Sequence, residues 1–159
     1  MKKQSVVRLI IDMSVMIDTN AYISDLKQLI EEGQEVVIMV TGWSMQPFLR
    51  NRRDRVSLIK PSDICNIGDI VLYRRKTGQF VLHRIYNIKS DGYYMMGDNQ
   101  VDMEGPIEAD TIFAVVTEIE RNGRWISVKG LPWIIASCLW RVLYPVRKIA
   151  YRTRKAMRK

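Results

Sequence analysis

The chain has a single histidine, only two cysteines, and no stretch of about 20 uncharged apolar residues. Two isolated cysteines, Cys65 and Cys138, exclude a disulfide framework and a cysteine-built zinc site, and they leave the redox compartment open. Without a long apolar run, no segment is expected to span a membrane. The start, Met-Lys-Lys, resembles a secretory leader, but Arg8, Asp12 and Asp18 interrupt the apolar stretch behind it and no small-residue cleavage site is expected. There is no internal repeat and no low-complexity tract. Uncompensated positive charge gathers at the end of the sequence. Residues 141–159 carry Arg141, Arg147, Lys148, Arg152, Arg154, Lys155, Arg158 and Lys159 with no acid, which accounts for the whole net charge of +8. A neutral body with a cationic tail argues against a domain-wide nucleic-acid footprint and for a tail that meets an anionic surface.

What is present is a globular composition, 47% hydrophobic and 26% charged over 159 residues. In residues 19–33, Tyr22, Ile23, Leu26, Leu29 and Ile30 recur at three- and four-residue steps. Thr19 or Asn20 is placed to cap this helix and Gly33 to stop it. The apolar stretch over residues 5–17 fits neither period. Short β-type runs come next at 35–40, 55–60, 69–74, 80–88, 93–96, 111–120 and 125–128, separated by Gly, Asn and Asp. The pattern predicts a mainly β, α+β chain: a helical segment at 1–34, an antiparallel β domain at 35–130, and a basic amphipathic helix at 131–159 kinked by Pro145.

Three places bear chemistry. In Val40-Thr41-Gly42-Trp43-Ser44-Met45-Gln46-Pro47, a serine lies past the end of an apolar strand between two residues that force a turn, so its side chain is presented rather than packed. His83 lies in a strand on the face shared with Val81 and Ile85, turned to the core or to a groove cut in it. It is the one imidazole able to take a serine proton. Met96-Gly97-Asp98-Asn99 and the nearby Asp102 supply carboxylates at a strand end, where one could hold an imidazole tautomer. Each feature also has a plain reading: a loop serine, a packed core histidine, an Asx turn.

In order along the chain, Gly42-Trp43-Ser44-Met45-Gln46-Pro47, Ile67-Gly68-Asp69-Ile70-Val71-Leu72-Tyr73, Val81-Leu82-His83-Arg84-Ile85 and Met96-Gly97-Asp98-Asn99 resemble the successive boxes of the superfamily of type I signal peptidases and self-cleaving repressors. The resemblance covers about residues 36–120. It implies a coiled antiparallel β fold and a serine endopeptidase with Ser44 as nucleophile and His83 as general base, needing no metal or cofactor. It also implies histidine-type chemistry of the endoplasmic-reticulum and archaeal kind, where bacterial signal peptidases carry lysine. Asp98 ranks first as third member, with Asp102 kept beside it. Gly42, Met45 and Pro47 would flank a bound peptide. The implied substrate is a secreted or membrane-proximal precursor in extended form, with small side chains before the cut. The sequence departs from the family in having Thr41-Gly42-Trp43-Ser44 where many signal peptidases have Ser-Gly-Ser. From the roughly 35 residues before the β region, neither the anchor typical of signal peptidases nor the helix-turn-helix of the repressors is expected.

Two alternatives stand beside this reading. One is a soluble repressor-type peptidase that cleaves itself or one partner, against which stand His83 in place of lysine and the lack of an Ala-Gly or Cys-Gly site. The other is a catalytically idle β module carried to membranes by its tail. Trp133, Trp140 and Tyr144 beside a cationic face suit residues 133–159 to peripheral contact with anionic lipid, on a side of the membrane the sequence does not identify. The opposite face, with Val142, Val146, Ile149, Ala150 and Met157, could equally pack on the β domain. Nucleic acid is not an expected partner, because no aromatic platform accompanies the charge.

Overall fold

The computed structural model describes residues 9–11, 19–62 and 64–156. Of the apolar stretch at 5–17 it describes only Leu9–Ile11, and Met157, Arg158 and Lys159 lie outside the described residues, as do the side chains of Thr19 and Asn20. In chain order the elements are β1 (Leu9–Ile11), α1 (Thr19–Glu31), β2 (Val36–Met39), β3 (Arg55–Ile59), β4 (Ile70–Arg74), β5 (Phe80–Lys89), β6 (Gly92–Met96), β7 (Glu104–Ile107), a 3-10 turn (Ala109–Thr111), β8 (Ile112–Arg121), β9 (Arg124–Ser127), α2 (Leu131–Val142) and α3 (Tyr144–Ala156). Every β-type run expected from the sequence is a strand, and the helix expected over 19–33 is α1. Its end is closed by the Gly33 and Gln34 amides donating to Ile30 and Leu29 carbonyls.

The strands form one mixed, mostly antiparallel sheet in the order β1-β2-β3-β8-β4-β5-β6-β7, with β9 added on β8. Among the described residues only β1 and β2 pair in parallel. β8 is the spine, joined to β3 through Val115–Glu120 and to β4 through Ile112–Val115. Register shifts at Ser57/Leu58 and Leu72/Tyr73 put bulges beside this spine, and such bulges bend and twist a sheet until it coils. Coiling gives two cores. Ile23, Leu26 and Ile30 of α1 pack with Val36, Ile38, Leu58, Leu72 and Val116 on one face, while Val71, Tyr73, Ile85, Met95, Ile107 and Ile112 fill the other. β4 shows the cause, since Ile70 and Leu72 alternate with Val71 and Tyr73 and all four are buried. Truncating any of the fully buried aliphatics, such as Leu58, costs about 2–5 kcal/mol.

The tail helix breaks at Leu143, and Pro145 stands in the first turn of α3, where its missing N–H does no harm. The aromatic residues assigned from sequence to a lipid surface face the protein instead. Trp133 meets the edge of Phe48 at a centroid distance of 5.2 Å, the Trp140 indole N–H donates to the Asp98 carbonyl (2.8 Å), and the Tyr144 hydroxyl donates to the Val101 carbonyl (2.9 Å). Trp140 and Tyr144 each have a polar atom that finds its partner on the β domain, which is why these rings turn inward.

Candidate active site

The turn carrying Ser44 is braced from behind. Leaving β2, Val40 both donates to the Asp54 carbonyl (2.9 Å) and accepts from the Arg52 amide (2.8 Å), closing residues 40–54 into a loop. Gly42 takes φ +89°, a conformation that strains residues with a side chain, and its amide donates to Asn51 Oδ1 (3.0 Å). The wholly buried Asp54 carboxylate accepts from the Arg50 amide and from Arg121 Nε and Nη2. Arg121 Nη2 also reaches the Phe48 carbonyl (2.6 Å). From the front, the Asn99 amide donates to the Ser44 carbonyl at 2.7 Å. Gly97 lies so close that a Cβ there would stand 2.6 Å from that carbonyl oxygen and 3.0 Å from Ser44 Cβ. The Gly97-Asp98-Asn99 segment is thus a seat for the serine turn, and glycine is required by contact.

His83 is set by sheet register. It pairs with Val71, while Tyr73 of β4 pairs with Val81, so Tyr73 and His83 are diagonal neighbours on one face. The Tyr73 hydroxyl lies 3.3 Å from His83 Nδ1 and 3.1 Å from Glu104 Oε2, at the start of β7. Arg75 grips the same carboxylate through Nε (2.7 Å to Oε1) and Nη2 (2.6 Å to Oε2), and its Nη1 donates to Gln79 Oε1. Burial, aided by the Arg75 charge and opposed by Glu104, holds the His83 pKa down at about 4, so the ring is neutral at pH 7. Burial works to raise the Glu104 pKa, but hydrogen bonds from Arg75 and Tyr73 outweigh it and keep the carboxyl below its ordinary range. The Tyr73 phenol is pushed well above its ordinary value by burial and then by Glu104.

Ser44 and His83 line one cavity of about 430 Å³. Its walls are Ile23 and Leu26 of α1, Ile38 to Met45 on one side, and Leu72 and Gln79 to His83 on the other. Among the described residues no direct hydrogen bond joins the Ser44 hydroxyl to the imidazole, whose bonded partner is Tyr73. Gly42 and Met45 line the cavity, whereas Pro47 is exposed outside its lining.

The carboxylates ranked for the third role stand elsewhere. Asp98 gives both oxygens to Arg84, Oδ1 to Nε (2.8 Å) and Oδ2 to Nη2 (2.7 Å), with both side chains fully buried. Arg84 is next to His83 in β5 and therefore points to the opposite face of the strand, where a buried guanidinium requires an acid. Asp102 is exposed on the rim of a separate polar cavity with Asn99, Gln100 and Tyr151. The groups that do reach the imidazole, Tyr73 and through it Glu104, went unread in the sequence. Tyr73 ends an apolar strand run that says nothing of a polar partner, and Glu104 sits in Glu-Gly-Pro-Ile, which has no strand alternation. Among the described residues no cluster of three or more His, Cys, Asp or Glu could hold a metal.

One family model, Peptidase S24-like, matches residues 11–118, a span that holds both Ser44 and His83. No curated protein matches the chain.

Proposed function

We propose that this chain, which belongs to the Peptidase S24-like family, is an active serine endopeptidase in which Ser44 attacks a peptide carbonyl and His83 takes its proton. The observation that carries the proposal is the shared cavity: a serine on a braced turn and the chain's one histidine, neutral at pH 7, open on the same 430 Å³ space. A neutral imidazole has the lone pair a general base needs, and hydroxyl–imidazole contacts tighten when substrate fills a site. Nδ1 is occupied by Tyr73, so Nε2 is left to accept the proton and later return it to the leaving amine. The Gly42 amide is already engaged by Asn51, so oxyanion charge falls to other amides of the turn.

Sheet pairing favours an extended substrate. β5 pairs with β4 from Phe80 onward but with β6 only from Arg84 onward, leaving one edge of Phe80–His83 open beside the cavity. A peptide laid there adds a strand, with its scissile carbonyl carried toward Ser44 and alternate side chains in apolar pockets. The substrates we favour are secreted or membrane-proximal precursors, cleaved by Ser-His chemistry of the endoplasmic-reticulum and archaeal kind.

The tail supports a position at a lipid surface through the apolar stripe that includes Val142, Val146 and Ile149, without the Trp133, Trp140 and Tyr144 rings expected to join it. Leu131, Ile135, Leu139, Val142, Val146 and Ile149 recur at three- and four-residue steps and are between 56% and 74% exposed, while Trp133, Trp140, Tyr144 and Arg147 occupy the inner side. No helix among the described residues is long and apolar enough to cross a membrane. An apolar stripe on a chain end rich in Arg and Lys instead suits a helix lying in the headgroup region of an anionic bilayer.

The test uses quenched peptides with alanine before the scissile bond, the small residue the family resemblance implies. Cleavage by the parent and its loss in both Ser44→Ala and His83→Ala supports the reading; undiminished cleavage by Ser44→Ala overturns it. For the tail, co-sedimentation with phosphatidylserine vesicles is expected to fall with added salt and with Leu139→Ser/Val146→Ser, and full-length protein that ignores such vesicles removes the lipid assignment.

A further inference from the structure

Resting on the Ser44–His83 reading, we infer that Tyr73 and Glu104 are the positioning residues of this site, a phenol interposed between carboxylate and imidazole where a directly bonded aspartate was expected. Proton counting sets the direction of each bond. Tyr73 Oη has a single proton and two neighbours, Glu104 Oε2 at 3.1 Å and His83 Nδ1 at 3.3 Å. The carboxylate, fixed by the Arg75 fork, has only lone pairs to offer, so the phenol proton goes to it. The Tyr73 oxygen is then an acceptor toward the ring, and Nδ1 must carry the imidazole hydrogen. That leaves the Nε2 lone pair free. A tautomer that put the hydrogen on Nε2 would set two lone pairs against each other at Nδ1 and Oη, and it would offer Ser44 a donor in place of a base.

The relay has a second consequence. When His83 takes the serine proton, a positive charge forms at a site that is 2% exposed, and solvent cannot compensate it. Glu104 is the anion that faces it, through the polarised phenol; Arg75 fixes that anion in place while its own charge opposes the imidazolium, so the arrangement chiefly orients the ring and its tautomer. The cross-strand register makes this possible: Tyr73 reaches diagonally to His83, and β6 brings Glu104 of β7 opposite Met95 on the same face of the sheet.

Because His83 is the only histidine, its ring nitrogens are read without assignment in untagged, uniformly ¹⁵N-labelled protein. Two-bond ¹⁵N–¹H correlation at pH 7 is expected to show Nδ1 protonated and Nε2 bare, and Tyr73→Phe to remove that preference. The rate at which a fluorophosphonate loses fluoride to Ser44 is the second readout. Tyr73→Phe and Glu104→Gln are each expected to slow it about ten- to a hundred-fold, the worth of one hydrogen bond to a charged group. An Nε2-protonated ring in the parent, or Tyr73→Phe that keeps both the tautomer and the parent rate, overturns the relay alone. Ser44→Ala and His83→Ala that remain active in peptide cleavage overturn the underlying peptidase reading instead, whatever the tautomer.

Discussion

Asp98→Asn separates a structural from a catalytic carboxylate. In the folded protein Asp98 and Arg84 are a bidentate pair with side chains 0% and 1% exposed; Arg84 Nη1 also donates to the Gly68 carbonyl (2.8 Å), and the guanidinium covers the Phe48 ring. Removing one charge leaves the other buried without compensation, and breaking such a pair costs about 3–5 kcal/mol. Against a typical total of roughly 5–15 kcal/mol for a domain, that is a large share of the stability. For a chain of this length each kcal/mol is worth about 2–4 °C, so the melting temperature is expected to drop by roughly 6–20 °C. Thermal and urea melts measure this directly. Removing both charges, in Arg84→Met/Asp98→Leu, is expected to recover part of the loss because no buried ion remains. Activity of Asp98→Asn, assayed well below its own melting temperature, should persist, since neither carboxylate oxygen serves His83. An Asp98→Asn protein that melts within about 1 kcal/mol of the parent yet has lost cleavage would refute this reading of the pair and make Asp98 the third catalytic member.

Three other outcomes rest on the same contacts. His83 titrates from about 4 folded against 6.5 in an unfolded chain, so its contribution is intact above pH 6.5 and is lost as the pH falls toward 4; between pH 7 and 5 the parent should lose roughly 2 kcal/mol more than His83→Gln in urea melts. Equal losses in the two proteins would place the ring's pKa near its ordinary value. Gly97→Ala puts a Cβ 2.6 Å from the Ser44 carbonyl, so cleavage is expected to fall by about ten-fold or more while the two cores still melt cooperatively; parent-like activity would show that the turn can give way. Trp140→Ala removes an indole whose N–H holds the Asp98 carbonyl, one residue from the Asn99 amide that holds Ser44. It should slow cleavage even without membranes, whereas an unchanged rate would uncouple the tail from the site.

Much of this fold is written in local pattern. Short apolar runs set off by Gly, Asn and Asp mark β2 to β6, β8 and β9; the Tyr22 to Ile30 spacing marks α1; and Pro145 marks the break between α2 and α3. β7 escapes because Gly105 and Pro106 erase alternation from four residues that pair only with β6. The site divides along the same line. That Ser44 and His83 could share a cavity is legible because a turn and a strand each present one reactive side chain. The partner of His83 is not, because it depends on which strand lies beside β5 and in what register. Arg84 held the missed clue: a residue next to His83 in a strand faces the opposite way, and a buried guanidinium there had to take the nearest acid, which was Asp98. In the tail, helical spacing separates two faces without saying which one meets the protein, and Trp133, Trp140 and Tyr144 take the inner side.

If Ser44 and His83 work as one unit, the serine should be reactive only while the imidazole is there to take its proton, and intact-protein mass spectrometry after exposure to a fluorophosphonate reads this without a peptide substrate. The parent is expected to gain one adduct, mapped by peptide fragmentation to Ser44, and His83→Ala to gain none on the same timescale. An adduct that forms equally well in His83→Ala, or that maps to another serine, would contradict the pairing of Ser44 with His83.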